Sequence, residues 1–180
     1  CEGTPFHTIN SVLEGGGYKF SGIKYYTGDF KQSHRVSPGD VIVATLEQTF
    51  DHRLVGHCAR IPSTFGSEGI FSGDLFKVES KDEGISMNWI YELLSTDYMH
   101  SQIIQYSNGT TINRIPQDSL KRPLVAIPPR ELVAKFDAVT IPIQQMCDNL
   151  ISETNALNNL RETLLPQLMF GGLLQRTNQS

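Results

Sequence analysis

The chain has 180 residues, of which 39% are hydrophobic and 19% are charged, which is enough for one globular domain with a buried core. Its 15 Lys and Arg residues against 19 Asp and Glu residues give a net charge of −4, which argues against a surface that is basic all over. No run of about 18 apolar residues occurs, so the sequence predicts no membrane-spanning segment.

The first 128 residues predict a strand-rich domain. Short apolar runs alternate with turn residues about every 8–12 residues, as in a sandwich, a barrel or a compact α+β domain. Buried strands are predicted at residues 41–44, 54–61 and 75–78. Apolar residues at helical spacing then predict one or two helices within residues 87–106. A last strand is predicted at residues 124–127.

The sequence predicts one long helix after Pro128 and Pro129. Apolar residues recur at intervals of three and four over residues 131–168, where a helix would be about 57 Å long at 1.5 Å per residue. Such a helix is too long to bury its apolar stripe against the domain, so we expect it to pair with another long helix. Pro142 is expected to kink or divide it. The predicted seam consists of Phe136, Val139, Ile143, Met146, Leu150, Leu157, Leu160 and Leu164. The alternative is a helix folded back on its own domain.

Two candidate catalytic arrangements have incomplete patterns. His52, His57 and Cys58 lack the spacing of a recognised metal-ligand set, so no metal site is predicted. Glu79 and Lys81 alternate on one strand face downstream of Asp74, as in metal-dependent nucleases. Nuclease sites usually take that Asp from a separate element, so a solvated strand end is favoured and the nuclease remains an alternative.

The three cysteines, Cys1, Cys58 and Cys147, are far apart and form no CxxC pair. This pattern indicates free thiols in a reducing, cytoplasmic compartment and no disulfide framework. The chain begins at Cys1 and not at a methionine, which is expected of a fragment of a longer protein.

The basic charge is concentrated in the first third of the chain. Residues 19–60 contain six Lys and Arg against four acids, whereas residues 61–118 contain three against eight. Lys and Arg bind phosphates, and Arg, Lys and Gln also bind base edges. The predicted DNA-contacting residues are Lys24, Lys31, His34, Arg35, Gln48 and Arg53. Composition alone does not distinguish a DNA-binding surface from an ordinary surface of mixed charge.

Four segments resemble the specificity (S) subunits of type I restriction–modification systems. Residues 157–169, Leu-Asn-Asn-Leu-Arg-Glu-Thr-Leu-Leu-Pro-Gln-Leu-Met, resemble the end of the long helix in that family. Residues 36–44 resemble the Gly-Asp-hydrophobic strand of a target recognition domain, and residues 107–115 resemble the turn near its end. Residues 124–129 resemble the apolar-Pro-Pro junction into the helix. Glu162 departs from the usual Asp, and residues 170–172 depart from the usual Ser-Gly-Glu.

The resemblance implies an α+β fold with a strand-rich target recognition domain at residues 1–128, a spacer and dimerisation helix at 129–172, and a tail at 173–180. It also implies that the long helix forms an antiparallel coiled coil with a partner helix. A complete S subunit has two such domains and two such helices, so the resemblance implies a half-subunit or fragment that self-associates through its helix. It also implies a non-catalytic protein that reads one half of a bipartite double-stranded DNA target.

The same resemblance implies methyltransferase (modification) subunits and restriction subunits as partners. These would bring S-adenosylmethionine, ATP and Mg²⁺, so no cofactor is expected on this chain. The alternative function is a coiled-coil protein-interaction module with a head that binds a ligand or a protein.

Overall fold

The structure is a computed structural model that describes residues 3–48, 51–109 and 111–174, with side-chain surroundings up to residue 169. Its strands are β1 (Thr4–His7), β2 (Lys24–Tyr26), β3 (Arg35–Val36), β4 (Val41–Ala44), β5 (Leu46–Glu47), β6 (Cys58–Arg60), β7 (Gly69–Phe71), β8 (Leu75–Val78) and β9 (Asn113–Arg114). Its α-helices are α1 (Met87–Leu94), α2 (Asp97–Ile104) and α3 (Arg130–Leu174). The predicted α+β class with a long C-terminal helix is confirmed.

The described strands form three small sheets. A four-stranded sheet has the order β2-β1-β7-β3, in which β1 and β7 are parallel and the other pairs are antiparallel. An antiparallel sheet has the order β6-β4-β8, and β5 pairs with β9. The parallel β1–β7 pair joins residues more than sixty positions apart in the sequence.

Strand β4 lies at the centre of the core and confirms the buried strand predicted at residues 41–44. All four of its residues are buried. Because successive strand residues point to opposite faces, Ile42 and Ala44 contribute to one apolar cluster and Val41 and Val43 to another. The second cluster also contains residues from α1 and α2, which packs these helices against the sheet.

The strand predicted at residues 54–61 is wrong over its first half, because only Cys58–Arg60 forms a strand. The backbone N–H groups of Leu54 and Val55 donate to the carboxylate of Glu47, at 2.8 and 2.9 Å, and not to a neighbouring strand. Gly56 then has a φ of +82°, which is not an extended conformation, so the strand begins only after it.

The predicted last strand at residues 124–127 is also wrong, because these residues have no regular secondary structure. Prolines at positions 123, 128 and 129 flank the segment and have no N–H to donate to a ladder. The helical prediction for residues 87–106 is confirmed as α1 and α2. Ser86 and Thr96 cap these helices by accepting from the N–H groups of Trp89 and Met99.

Helix α3 confirms the long helix predicted over residues 131–168 and continues to Leu174. Pro142 lies inside it and does not divide it. The chain forms two compact units, Cys1–Ile141 and Pro142–Ser180, so the first three turns of α3 belong to the first unit. The predicted domain boundary after residue 128 stays a prediction. The end of the predicted tail, residues 175–180, lies outside the described residues.

Polar contacts attach the first turns of α3 to the rest of the first unit. The carboxylate of Asp137 accepts hydrogen bonds of 2.8 Å from both the Ser86 hydroxyl and the Asn88 side-chain amide. The same amide donates to the Thr140 hydroxyl at 2.7 Å. These bonds join α3 to the N-terminus of α1.

The predicted coiled-coil seam is mostly exposed in the single chain. Seven of its eight members have between 42% and 66% of their surface exposed: Val139, Ile143, Met146, Leu150, Leu157, Leu160 and Leu164. Pairing of this helix with a partner therefore stays a prediction. Within the described parts of the chain, no helix combines the length and apolar character needed to cross a membrane.

Candidate nucleic-acid interface

The four-stranded sheet aligns two of the predicted DNA-contacting residues with apolar residues between them. Lys24 pairs with Phe6, Phe6 pairs with Ile70, and Ile70 pairs with Arg35 in the register of the four strands. Directly paired residues point to the same face of a sheet, so the four side chains share one face. The adjacent residues Val36 and Phe71 belong to the core on the opposite face. We call the face with Lys24, Phe6, Ile70 and Arg35 the outer sheet face.

The segment between β2 and β3 brings Lys31 and His34 to the same sheet. It ends in a short 3-10 turn, Gln32–His34, immediately before β3. The His34 ring packs on the ring of Phe71, with centroids 5.4 Å apart. Lys24 and Lys31 are exposed, and neither has an ion pair with a described residue. Four of the six predicted residues therefore lie on one sheet or on the segment beside it.

Arg35 is already engaged by neighbouring side chains. One of its terminal nitrogens donates to the Glu68 carboxylate at 2.5 Å. Its guanidinium carbon also lies 5.3 Å from the centroid of the Phe30 ring. Its Nε atom is buried and has no hydrogen-bond partner among the described residues. The charge of Arg35 is thus partly balanced, while its planar group is held in place.

A cavity of about 360 Å³ lies between β1, β7 and the segment after β2. Aromatic and aliphatic side chains of Phe6, Tyr26, Phe30 and Ile70 form much of its wall, and Asp29, Lys31 and His34 supply polar groups. The Tyr26 ring packs on Phe6 at 5.9 Å between centroids. Its hydroxyl donates a long hydrogen bond of 3.5 Å to the carbonyl of Asp29.

The remaining two predicted residues lie outside this sheet. Gln48 directly follows β5, and Arg53 lies in the turn before β6. Arg53 forms ion pairs with Asp51 at 3.3 Å and with Glu14 at 3.9 Å. The six predicted residues therefore divide into a group of four and a group of two.

A curated sequence relative is the specificity subunit of the type I restriction enzyme MjaIX from Methanocaldococcus jannaschii. It is 28% identical over 85 residues, which are 47% of this chain and 19% of that protein. A crystal structure of the HsdS subunit from Thermoanaerobacter tengcongensis matches 91% of this chain and 42% of its own, with a TM-score of 0.52 and 18% identity. The resemblance to type I specificity subunits is confirmed.

A second solved structure supports the same fold. It comes from work on complex assembly and conformational transition of the type I R-M system, and it matches 93% of this chain with a TM-score of 0.52 and 17% identity. This chain covers 37% of that chain, and it spans less than half the length of the MjaIX subunit and of both solved chains. No protein-family model matches the chain.

The carboxylate of Glu47 anchors the turn that carries Arg53 in this S-subunit-like fold. Glu47 is buried, and it accepts hydrogen bonds of 2.8 to 2.9 Å from the backbone N–H groups of His52, Leu54 and Val55. In the sequence, Glu47 is one of the four acids of residues 19–60 and has no motif that marks it as buried. The signal in the sequence that could indicate its role is an acid that directly follows a buried apolar run and precedes a turn.

No sequence pattern indicated that Phe6 and Ile70, which line the cavity, belong to one site. They come together only through the parallel pairing of β1 and β7. Neither segment carries a local motif that indicates a shared site. The adjacent Tyr26 was visible in the sequence as an aromatic residue among basic ones.

The residues of the two catalytic alternatives have other partners in the structure. Asp74 pairs with Arg114 at 3.7 Å, whereas Glu79 approaches Lys77 at 4.0 Å. Among the described residues there is no group of three or more His, Cys, Asp or Glu side chains placed to hold a metal ion.

His57 and Cys58 have environments that disfavour their charged forms. The His57 ring stacks on His100 with centroids 3.7 Å apart. Burial, and then the nearby His100, lower the pKa of His57 to about 4. Burial raises the pKa of the Cys58 thiol to about 11, and this side chain belongs to the apolar core.

Proposed function

We propose that this chain is a non-catalytic DNA-specificity component of a type I restriction–modification complex and that it reads one half of a bipartite double-stranded target. The observation that carries the proposal is the gathering of Lys24, Lys31, His34 and Arg35 around one sheet of a fold that resembles a solved type I specificity subunit. The relative's printed role as a specificity subunit supports the same function.

The two exposed lysines are the proposed phosphate contacts. Lys24 and Lys31 have no ion pair with a described residue, so both ammonium groups are available to DNA. Phosphate contacts position a protein on DNA, whereas planar groups such as the guanidinium of Arg35 can read base edges. Gln48 and Arg53 would form a second contact region, where Arg53 must exchange its acidic partners for DNA.

Replacing both Lys24 and Lys31 with alanine is expected to weaken DNA binding roughly tenfold or more at low salt. It should also reduce the slope of log affinity against log salt by about 2, because each lost phosphate contact contributes about 0.9. Fluorescence anisotropy between 50 and 200 mM salt measures both quantities. The assembled complex with its methyltransferase subunits would be used, on a duplex whose target has been found by methylation-site sequencing.

The matched control replaces Lys81 and Lys121, two exposed lysines outside the four-stranded sheet. It removes the same charge from elsewhere on the surface and should leave the slope almost unchanged. Equal effects of the two double variants would contradict the assignment to the outer sheet face. Failure of the wild-type complex to bind any duplex would contradict the proposed function itself.

The proposed partners in the cytoplasm are the methyltransferase and restriction subunits. These subunits would carry the catalytic chemistry with S-adenosylmethionine, ATP and Mg²⁺, and this chain would carry no cofactor. Support comes from the similarity to a chain of a type I R-M assembly.

Self-association through the exposed seam of α3 is the second part of the proposal. Leu150→Glu together with Leu157→Glu is expected to convert a dimer at tens of micromolar into a monomer, because each dimer would bury four additional carboxylates in an apolar seam. Sedimentation velocity measures the change. Gln145→Glu with Asn159→Glu adds the same charge at exposed positions beside the seam and should remain dimeric. A wild-type chain that stays monomeric at this concentration would rule out the pairing.

A further inference from the structure

We propose that the cavity beside the outer sheet face accepts one nucleobase turned out of the stack of bound DNA. This inference rests on the proposed function and names the ligand group of that same surface. The cavity measures about 360 Å³, and Lys31 is part of its wall. Pockets for small organic groups begin at about 300 Å³, so the space is sufficient for a single base.

The walls of the cavity suit a flat aromatic ring. Phe6, Tyr26 and Phe30 line it from three different segments of the chain, and the side chain of Ile70 adds an aliphatic surface. Aromatic side chains are the common stacking platforms for bases that have left a helix, since every base has a π face. The Phe6 contact and the bond to the Asp29 carbonyl hold Tyr26, so this wall exists before a ligand arrives.

An unpaired polar atom in the wall of the cavity is consistent with an occupant that has hydrogen-bonding groups. Ser72 lines the cavity, and its hydroxyl is buried without a hydrogen-bond partner among the described residues. Buried polar groups are normally paired. The edge of a base carries both donors and acceptors, which are the groups that this hydroxyl lacks.

The charges favour a base of a DNA chain over a free nucleotide. Asp29 lines the cavity together with Lys31 and His34, so a phosphate placed inside would face a carboxylate. Lys24, two residues before Tyr26 on the same strand, is exposed and is not among the residues that line the cavity. An inserted base with its flanking phosphates outside, near Lys24, is consistent with both observations.

Gly73 allows the cavity to be filled without disturbing the fold. It lines the cavity, and a Cβ atom added to it would meet no atom within 4 Å. Gly73→Leu would place a branched side chain in the space that the base needs, whereas Gly73→Ala adds only one methyl group. Phe30→Leu removes an aromatic face and keeps most of the volume, so it is a second variant that does not depend on filling the cavity.

The test uses the assembled complex and target duplexes that carry 2-aminopurine or pyrrolocytosine at one position at a time. Apart from the base that the methyltransferase subunits themselves turn out for methylation, the wild-type complex should raise the fluorescence several-fold at one position of the half-site. Gly73→Leu should abolish this rise and weaken binding about tenfold with an unchanged salt slope, while Gly73→Ala should preserve both. Phe30→Leu should at least halve the rise. Circular dichroism and melting temperatures verify that each variant is folded.

Two results would overturn the inference while leaving the proposed function intact. One is a duplex that binds tightly with the same fluorescence pattern in wild type, Gly73→Leu and Phe30→Leu. The other is that adenosine or thymidine stabilises the free protein, that Gly73→Leu loses this stabilisation, and that the base analogues in the duplex give no signal. This result would assign the cavity to a free nucleoside. If no duplex binds, the proposed function fails and this inference fails with it.

Discussion

Glu47→Ala is expected to lower the free energy of unfolding by about 3–5 kcal/mol, a large part of the stability of a domain of this size. The Glu47 side chain is buried, and its carboxylate accepts three backbone hydrogen bonds from the turn at residues 52–55. Alanine would leave these N–H groups without their acceptor. Urea unfolding followed by circular dichroism measures the loss.

Two further variants separate the contribution of hydrogen bonding from that of burial. Glu47→Gln keeps one acceptor oxygen and nearly the same shape, so its cost should lie between those of wild type and alanine. Glu83→Ala removes an exposed carboxylate and should change stability by less than about 0.5 kcal/mol. If Glu47→Ala costs no more than Glu83→Ala, the carboxylate does not anchor the turn.

Acidification from pH 7 to pH 5 is expected to remove about 2 kcal/mol of stability through His7 alone. Burial lowers the pKa of His7 from 6.5 to about 4 in the folded protein. Between these values the unfolded chain binds a proton that the folded protein excludes. The stabilisation is therefore complete above pH 6.5 and is lost as the pH falls towards 4. His57, whose pKa is lowered in the same direction, adds to the loss.

The structure shows why His7 resists protonation. Its Nδ1 atom lies 2.7 Å from the Tyr18 hydroxyl, and its ring packs against the rings of Tyr18 and Phe65. Urea unfolding at pH 7, 6 and 5 measures the dependence. His7→Gln can keep a hydrogen bond to Tyr18 but cannot titrate, so it should flatten the curve by about 2 kcal/mol over this range. His34→Gln serves as the control, and an equally steep curve in wild type and His7→Gln would disprove the role of His7.

Local patterns were reliable in the helices, whose backbone bonds locally, and in β4 and β8, which pair with each other in one sheet. The strands at residues 41–44 and 75–78, the helices within 87–106 and the long helix α3 were all predicted. The errors at residues 54–57 and 124–127 concern segments that form no regular strand. In the first, the Glu47 carboxylate takes the N–H groups of Leu54 and Val55, and only Gly56 and His57 bond to Ala44. In the second, prolines flank the segment.

The main elements of the fold and the family resemblance follow from local patterns in the sequence. Strand periodicity, the heptad pattern and the signature at residues 157–169 are local, so they can be read without knowing which segments meet. They led to the α+β fold with a long helix and to the type I specificity subunits, which the solved structures and the curated relative support. They also selected six candidate DNA contacts by residue type.

The grouping of those candidates depends on contacts between segments that are far apart in the sequence. The tertiary structure placed Lys24, Lys31, His34 and Arg35 around the four-stranded sheet and put Gln48 and Arg53 elsewhere. The cavity walls Phe6 and Ile70 meet because β1 and β7 pair in parallel, which requires a long connection between them. Pairing over such a distance depends on burial in the whole domain, and no pattern within either segment indicates it.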